Sequence, residues 1–164
     1  MKTFLILFCC LVGVEMMAQG KFASPSLKSI IGKTCKNENE FPELKGFTAL
    51  GGTLLTDVND PEPKLVSLFS KGTTIVVLFE ALVTENQFSI IDVIEIKNIQ
   101  RNQELKVGEC RDGLSENPKI LALTERSKED RWKAVKAWYI NVDKIRIEEF
   151  PPKNVTCFGI VGED

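Results

Sequence analysis

The chain has 164 residues, 21 Lys and Arg against 23 Asp and Glu, a formal net charge of −2, and no histidine. That balance offers no basic face to nucleic acid. The missing histidine excludes Ser-His-Asp and Cys-His catalysis, histidine-held metals and imidazole proton relays, and neither a metal nor any other cofactor is expected.

Residues 1–20 have the pattern of a secretory signal peptide. Lys2 gives a short positive start, residues 4–14 are an unbroken apolar run, and Ala18-Gln19-Gly20 fits a small-residue cleavage site. The run is shorter than the roughly 20 apolar residues that cross a bilayer. No later stretch approaches that length, so no membrane span is expected. Cleavage is expected to leave Lys21 as the first residue, with Gln19 as the second choice. The expected setting is periplasmic or secreted.

After the leader, residues 21–63 are expected to form an irregular N-terminal arm packed on the domain, and residues 64–164 an antiparallel β-rich domain. Ser26 to Gly32 suit two helical turns stopped by glycine. Residues 34–63 are rich in Gly, Pro, Asn and charge. Within them Asp57, Asn59, Asp60 and Glu62 mimic a calcium loop. The central glycine and the late glutamate are absent, however, and Pro61 and Pro63 interrupt the run, so a solvated turn is expected.

Strand patterns follow at residues 65–69, 74–83, 88–97, 104–111 and 119–125, and their short connections favour antiparallel neighbours. Residues 74–83 are apolar on both faces, the mark of a central strand. Ser127 as N-cap, with Glu129 and Asp130 in the first turn, predicts a short helix carrying Trp132 and Val135 on one face. From Lys136 the alternation predicts a hairpin. Trp138 and Ile140 lead out, residues 141–144 turn, and Ile145, Ile147 and Glu149 lead back. Pro151-Pro152 ends it, and residues 154–161 form a last strand. The fold class is α+β, close to all-β: an antiparallel meander sheet with one short helix and a C-terminal hairpin.

Three cysteines survive removal of the leader: Cys35, Cys110 and Cys157. In an oxidising compartment an odd count implies one bridge and one leftover thiol. Cys110–Cys157 is favoured, because Cys157 lies in an ordered-looking β-branched segment. A bridge from Cys35 to either of the others is the alternative. Cys35 sits among charged, polar residues and is expected as an exposed free thiol, activated by Lys33 and Lys36 and able to link a dimer.

Carboxylate catalysis needs two converging acids, one with a raised pKa. Asp92 is expected to share a strand face with Ile90, Ile94 and Ile96. Glu80 or Glu109 is the candidate second acid, and Arg111 a cation that would lower Asp92 again. A structural role for Asp92 is weighed above a catalytic one. Trp132, Trp138 and Tyr139 lie close in sequence and serve either as core or as a binding platform. Asn154-Val155-Thr156 is a glycosylation sequon, with meaning only in a eukaryotic secretory pathway.

Five fragments carry a resemblance: Ile91-Asp92-Val93-Ile94-Glu95-Ile96, Glu109-Cys110-Arg111, Asn117-Pro118-Lys119-Ile120-Leu121-Ala122, Lys136-Ala137-Trp138, and Cys157. In that order they resemble a group of small exported bacterial proteins to which no activity attaches. The resemblance covers the second half of the chain. It implies a bacterial periplasmic or secreted setting and supports the Cys110–Cys157 bridge. The resulting expectation is an exported, non-catalytic domain that binds a protein, glycan or small ligand through a sheet face or rim. The alternatives are a small hydrolase built on Asp92 and a second acid, and a structural envelope protein assembled through Cys35.

Overall fold

The computed structural model describes residues 20–113, 115–126 and 131–158. The apolar run at residues 4–14, on which the signal-peptide expectation rests, therefore lies outside the described residues, as do Ser127, Glu129 and Asp130.

Two antiparallel sheets pack face to face. The first holds β1 (Thr34–Cys35), β2 (Thr48–Leu54), β3 (Lys64–Lys71), β4 (Thr74–Thr84) and β5 (Gln87–Ile96), in the order β1-β5-β4-β3-β2. The second holds β6 (Gln103–Val107), β7 (Cys110–Asp112), β8 (Ser115–Glu116), β9 (Ile120–Arg126), β10 (Arg131–Asn141), β11 (Arg146–Phe150) and β12 (Val155–Phe158). Its order is β6-β9-β10-β12-β7-β8, and β11 also pairs with β10. One short helix, α1 (Pro25–Lys28), completes a fold that is close to all-β.

The two-sided apolarity of β4 has the cause expected of a central strand: each face is covered by something different. Val77 and Phe79 point between the sheets, where they meet Ile94 and Ile96 of β5, Leu121 and Leu123 of β9, and Trp138 and Ile140 of β10. Val76 and Leu78 point the other way, under Leu27, Ile30, Cys35, Phe41 and Leu44 of the N-terminal segment. Burying a side chain the size of Phe79 contributes about 1.5–3 kcal/mol. A third cluster surrounds the Cys110–Cys157 bridge on the second sheet, with Ile120, Ala122, Ala134, Ala137 and Val155.

The structure departs from the sequence expectations in three places. Residues 21–63, expected as an irregular arm packed on the domain, cover the outer face of the first sheet and also supply both of its edge strands. Second, no helix carries Trp132 and Val135. Both lie in β10, which pairs with β9 over residues 132–139 and with β12 at residues 131–133, Val135 standing at the register shift between Ala134 and Lys136. Partner strands on both sides outweigh the weak helical signal. Third, Cys35 is only 4% exposed. It lies in β1 opposite Phe88, so the charged residues around it in sequence do not keep it in water.

One local feature shapes the second sheet. β11 pairs with residues 137–141 of β10, and β12 pairs with residues 131–133 on the same edge. The two are one strand interrupted by Pro151-Pro152 and a 3-10 turn (Pro152–Asn154). Proline lacks the N–H that would continue a ladder. The break frees β12 to pair with β7 as well.

Candidate functional site

A groove of about 610 Å³ opens between the two sheets beside this interruption. One wall is the end of β5, from Ile94 to Lys97, together with Phe22. The other is Val135 to Trp138 of β10 with Phe150, Pro151 and Pro152. Phe22 is placed there by a parallel bridge to Ile94 and by the Glu95 N–H donating to its carbonyl at 3.0 Å. Charges stand at the rim in internal pairs: Lys97 with Glu95 at 3.1 Å, and Lys21 with Glu149 at 3.9 Å. Lys136 also lines the groove.

The three sequence-predicted aromatics do not form one platform. Trp138 is 7% exposed, faces the inter-sheet core and lines the groove. Tyr139, next along the strand, points to the opposite face and packs on Phe150 at 6.1 Å. Trp132 lines a separate cavity of about 340 Å³ with Pro152 and Lys153. The Lys106 ammonium also stands over the Trp132 ring, 5.0 Å from its centroid.

Nor do the three acids converge. Asp92 lies opposite Phe79, whereas Glu80 lies opposite Ile90, because Ile91 is an extra residue in the ladder. That bulge turns Ile90 to the outer face and leaves Asp92 on the inner face with Ile94 and Ile96. Glu80 and Asp92 thus occupy opposite faces of one sheet. Glu109 sits elsewhere, 3.5 Å from the Lys106 ammonium.

Each acid has its own chemistry. Asp92 is 2% exposed, and its carboxylate accepts the N–H groups of Gly20 at 2.5 Å, Val93 at 2.8 Å and Ile147 at 2.7 Å. It joins β5 to β11 across the core. Burial pushes its carboxyl up, while the three donors and Arg146 pull the other way. The neighbouring cation is Arg146, not the expected Arg111, which pairs with Glu116 at 2.8 Å and lies over Phe158.

Glu80 is fully buried under the N-terminal segment. One of its oxygens accepts the Ser67 hydroxyl at 2.6 Å, and the other has no hydrogen-bond partner. Burial pushes its pKa up to about 8, despite the Ser67 bond, and Glu38 adds to the rise. The Cys35 thiol shares this environment. Burial first, and then the negative Glu38, Glu80 and Glu40, push it up to about 12. It is a protonated core thiol rather than an activated one.

Cys110 and Cys157 form the disulfide, facing each other across β7 and β12. Among the described residues no group of His, Cys, Asp and Glu is arranged to hold a metal ion. Asp57 is engaged with the Asn59 N–H at 2.8 Å, closing the local turn expected there. Among the described residues no helix is long and apolar enough to cross a membrane. Comparison of the chain with known protein families, with characterised proteins and with solved structures finds no match.

The sequence missed Phe22, Phe150 and the proline pair as groove residues. The one available signal was Pro151-Pro152 directly after an alternating strand, a place where a ladder must open. The bulge that separates Asp92 from Glu80 left no mark in composition.

Proposed function

We propose that this protein is an exported, non-catalytic binding domain whose ligand site is the groove between β5 and β10. The observation that carries the proposal is the groove itself. Its volume of about 610 Å³ falls within the roughly 300–1,000 Å³ of small-ligand sites. Its floor is apolar and aromatic, and lysines and glutamates stand at its mouth. Such a lining suits a small amphipathic ligand, with a flat or branched apolar body and a charged end. The Cys110–Cys157 disulfide fits an oxidising compartment outside the cytoplasm. The hydrolase alternative loses support, because its acids stand on different faces and in different elements.

Anilinonaphthalene sulfonate, an aromatic anion, is a suitable probe. Its titration is expected to shift the backbone NMR signals of residues 94–97 and 135–138. Val135→Glu, which adds bulk and a like charge at a half-buried groove position, is expected to weaken binding about tenfold, roughly 1.4 kcal/mol. Shifts confined to other surfaces, or unchanged affinity in a folded Val135→Glu variant, would reject the site.

A further inference from the structure

Gly20 is the first described residue, and it is built into the fold. It is buried, with φ of 67°, in the left-handed region that favours glycine. A Cβ at this position would stand 2.8 Å from Ile31 Cδ1. The Gly20 N–H donates to Asp92 Oδ1 at 2.5 Å, and its carbonyl accepts the Ala23 N–H at 3.1 Å. The tertiary hydrogen bonding of the domain therefore includes the residue before Lys21, the start that the small-residue rule favours. A chain beginning at Lys21 would lack the Gly20 N–H, leaving only the adjacent Val93 N–H on Asp92 Oδ1. It would also remove the acceptor of the Ala23 N–H.

We propose that the export cleavage falls before Gly20, at the Ala18–Gln19 bond, and that Asp92 holds the Gly20 amide so that the start of the mature chain ties into both sheets. The proposal rests on the export reading. Ala18 then supplies the small residue at the scissile bond. An export peptidase adds water across that bond. Residues 1–18 leave with a new carboxylate on Ala18, and Gln19 keeps the α-amine. Ile147, the third donor to Asp92, belongs to the second sheet. Retaining Gly20 thus connects the N-terminal segment, β5 and β11 through one carboxylate.

The test expresses the full-length chain in a secreting host and measures the intact mass of the exported protein. The expected mass is that of residues 19–164 less the two hydrogens lost to the Cys110–Cys157 disulfide, or the same less one ammonia where Gln19 has cyclised. A chain starting at Gly20 or Lys21 overturns the inference and leaves export intact. Retention of residues 1–18 overturns the export reading and the inference together. Hydrogen exchange on the exported protein examines the second half of the proposal. The Gly20 amide is expected to be protected to within about tenfold of the Ile147 amide, since both donate to Asp92. An unprotected Gly20 amide overturns the role given to Asp92.

Discussion

Glu80 keeps one carboxyl oxygen without a partner beneath the N-terminal segment, and its pKa near 8 makes it neutral at ordinary pH. A raised folded-state pKa means that the folded protein holds the proton more tightly than the unfolded one. Its stabilising contribution is full below the ordinary value of 4.5 and is lost as pH rises through about 8. At about 1.4 kcal/mol per pH unit, the loss is a few kcal/mol. Urea unfolding at pH 5 and pH 9 is expected to show it, and Glu80→Gln, which mimics the protonated acid, is expected to flatten it. An equally steep fall in Glu80→Gln would assign the pH dependence to another group. Cys35 lies in the same environment, with its thiol at about 12. A maleimide is expected to label it only after unfolding, and oxidant is expected to give no Cys35-linked dimer. Rapid native-state labelling would contradict its burial. For Asp92, replacement by Ala strands the buried N–H groups of Gly20 and Ile147 and is expected to cost about 1–3 kcal/mol. Asp92→Asn keeps an acceptor oxygen and is expected to cost less. Equal losses in denaturant titrations would mean that the charge, rather than the hydrogen bonds, is what the fold uses.

At the scale of elements, the strands were legible where apolar residues alternate between turn signals, as in β3, β4, β5, β9 and the β10–β11 hairpin. The hairpin is set by its own pattern, with Ile140 opposite Ile147 and both in the core. β2 was hidden because both of its faces are largely exposed, Leu50 at 54%, so no burial pattern is written into Thr48–Leu54. The short helix expected after Ser127 failed from Arg131 onward, since Trp132 and Val135 suit a strand as well as a helix and only the partner strands decide between them. The disulfide joins β7 to β12 across a sequence separation of 47, and closing such a loop is worth about 4 kcal/mol on the chain-entropy account. Reduction is expected to lower stability by roughly 2–4 kcal/mol, measured by denaturation with and without reductant. A loss well below that would show that the third cluster packs adequately without the bond.

For the whole molecule, the near all-β class was readable from period and turn spacing, but the division into two sheets was not. It depends on which strands meet across the core, and a linear pattern carries no record of that. The candidate groove shares this origin, because its walls come from residues 22, 94–97, 135–138 and 149–152. The placement of β1 and β2 also bears on the order of assembly. β2 to β5 are successive neighbours, joined by residues 55–63 and then by two-residue turns, whereas β1 must find β5 some fifty positions later, Thr34 against Ser89. A ribosome delivers the N-terminal segment first. Leu27, Ile30, Phe41 and Leu44 therefore wait in water until the meander that they cover has been made, and closing so long a loop is the slow kind of step. During that interval the nascent chain shows a greasy segment in search of a surface, the form of polypeptide that chaperones hold.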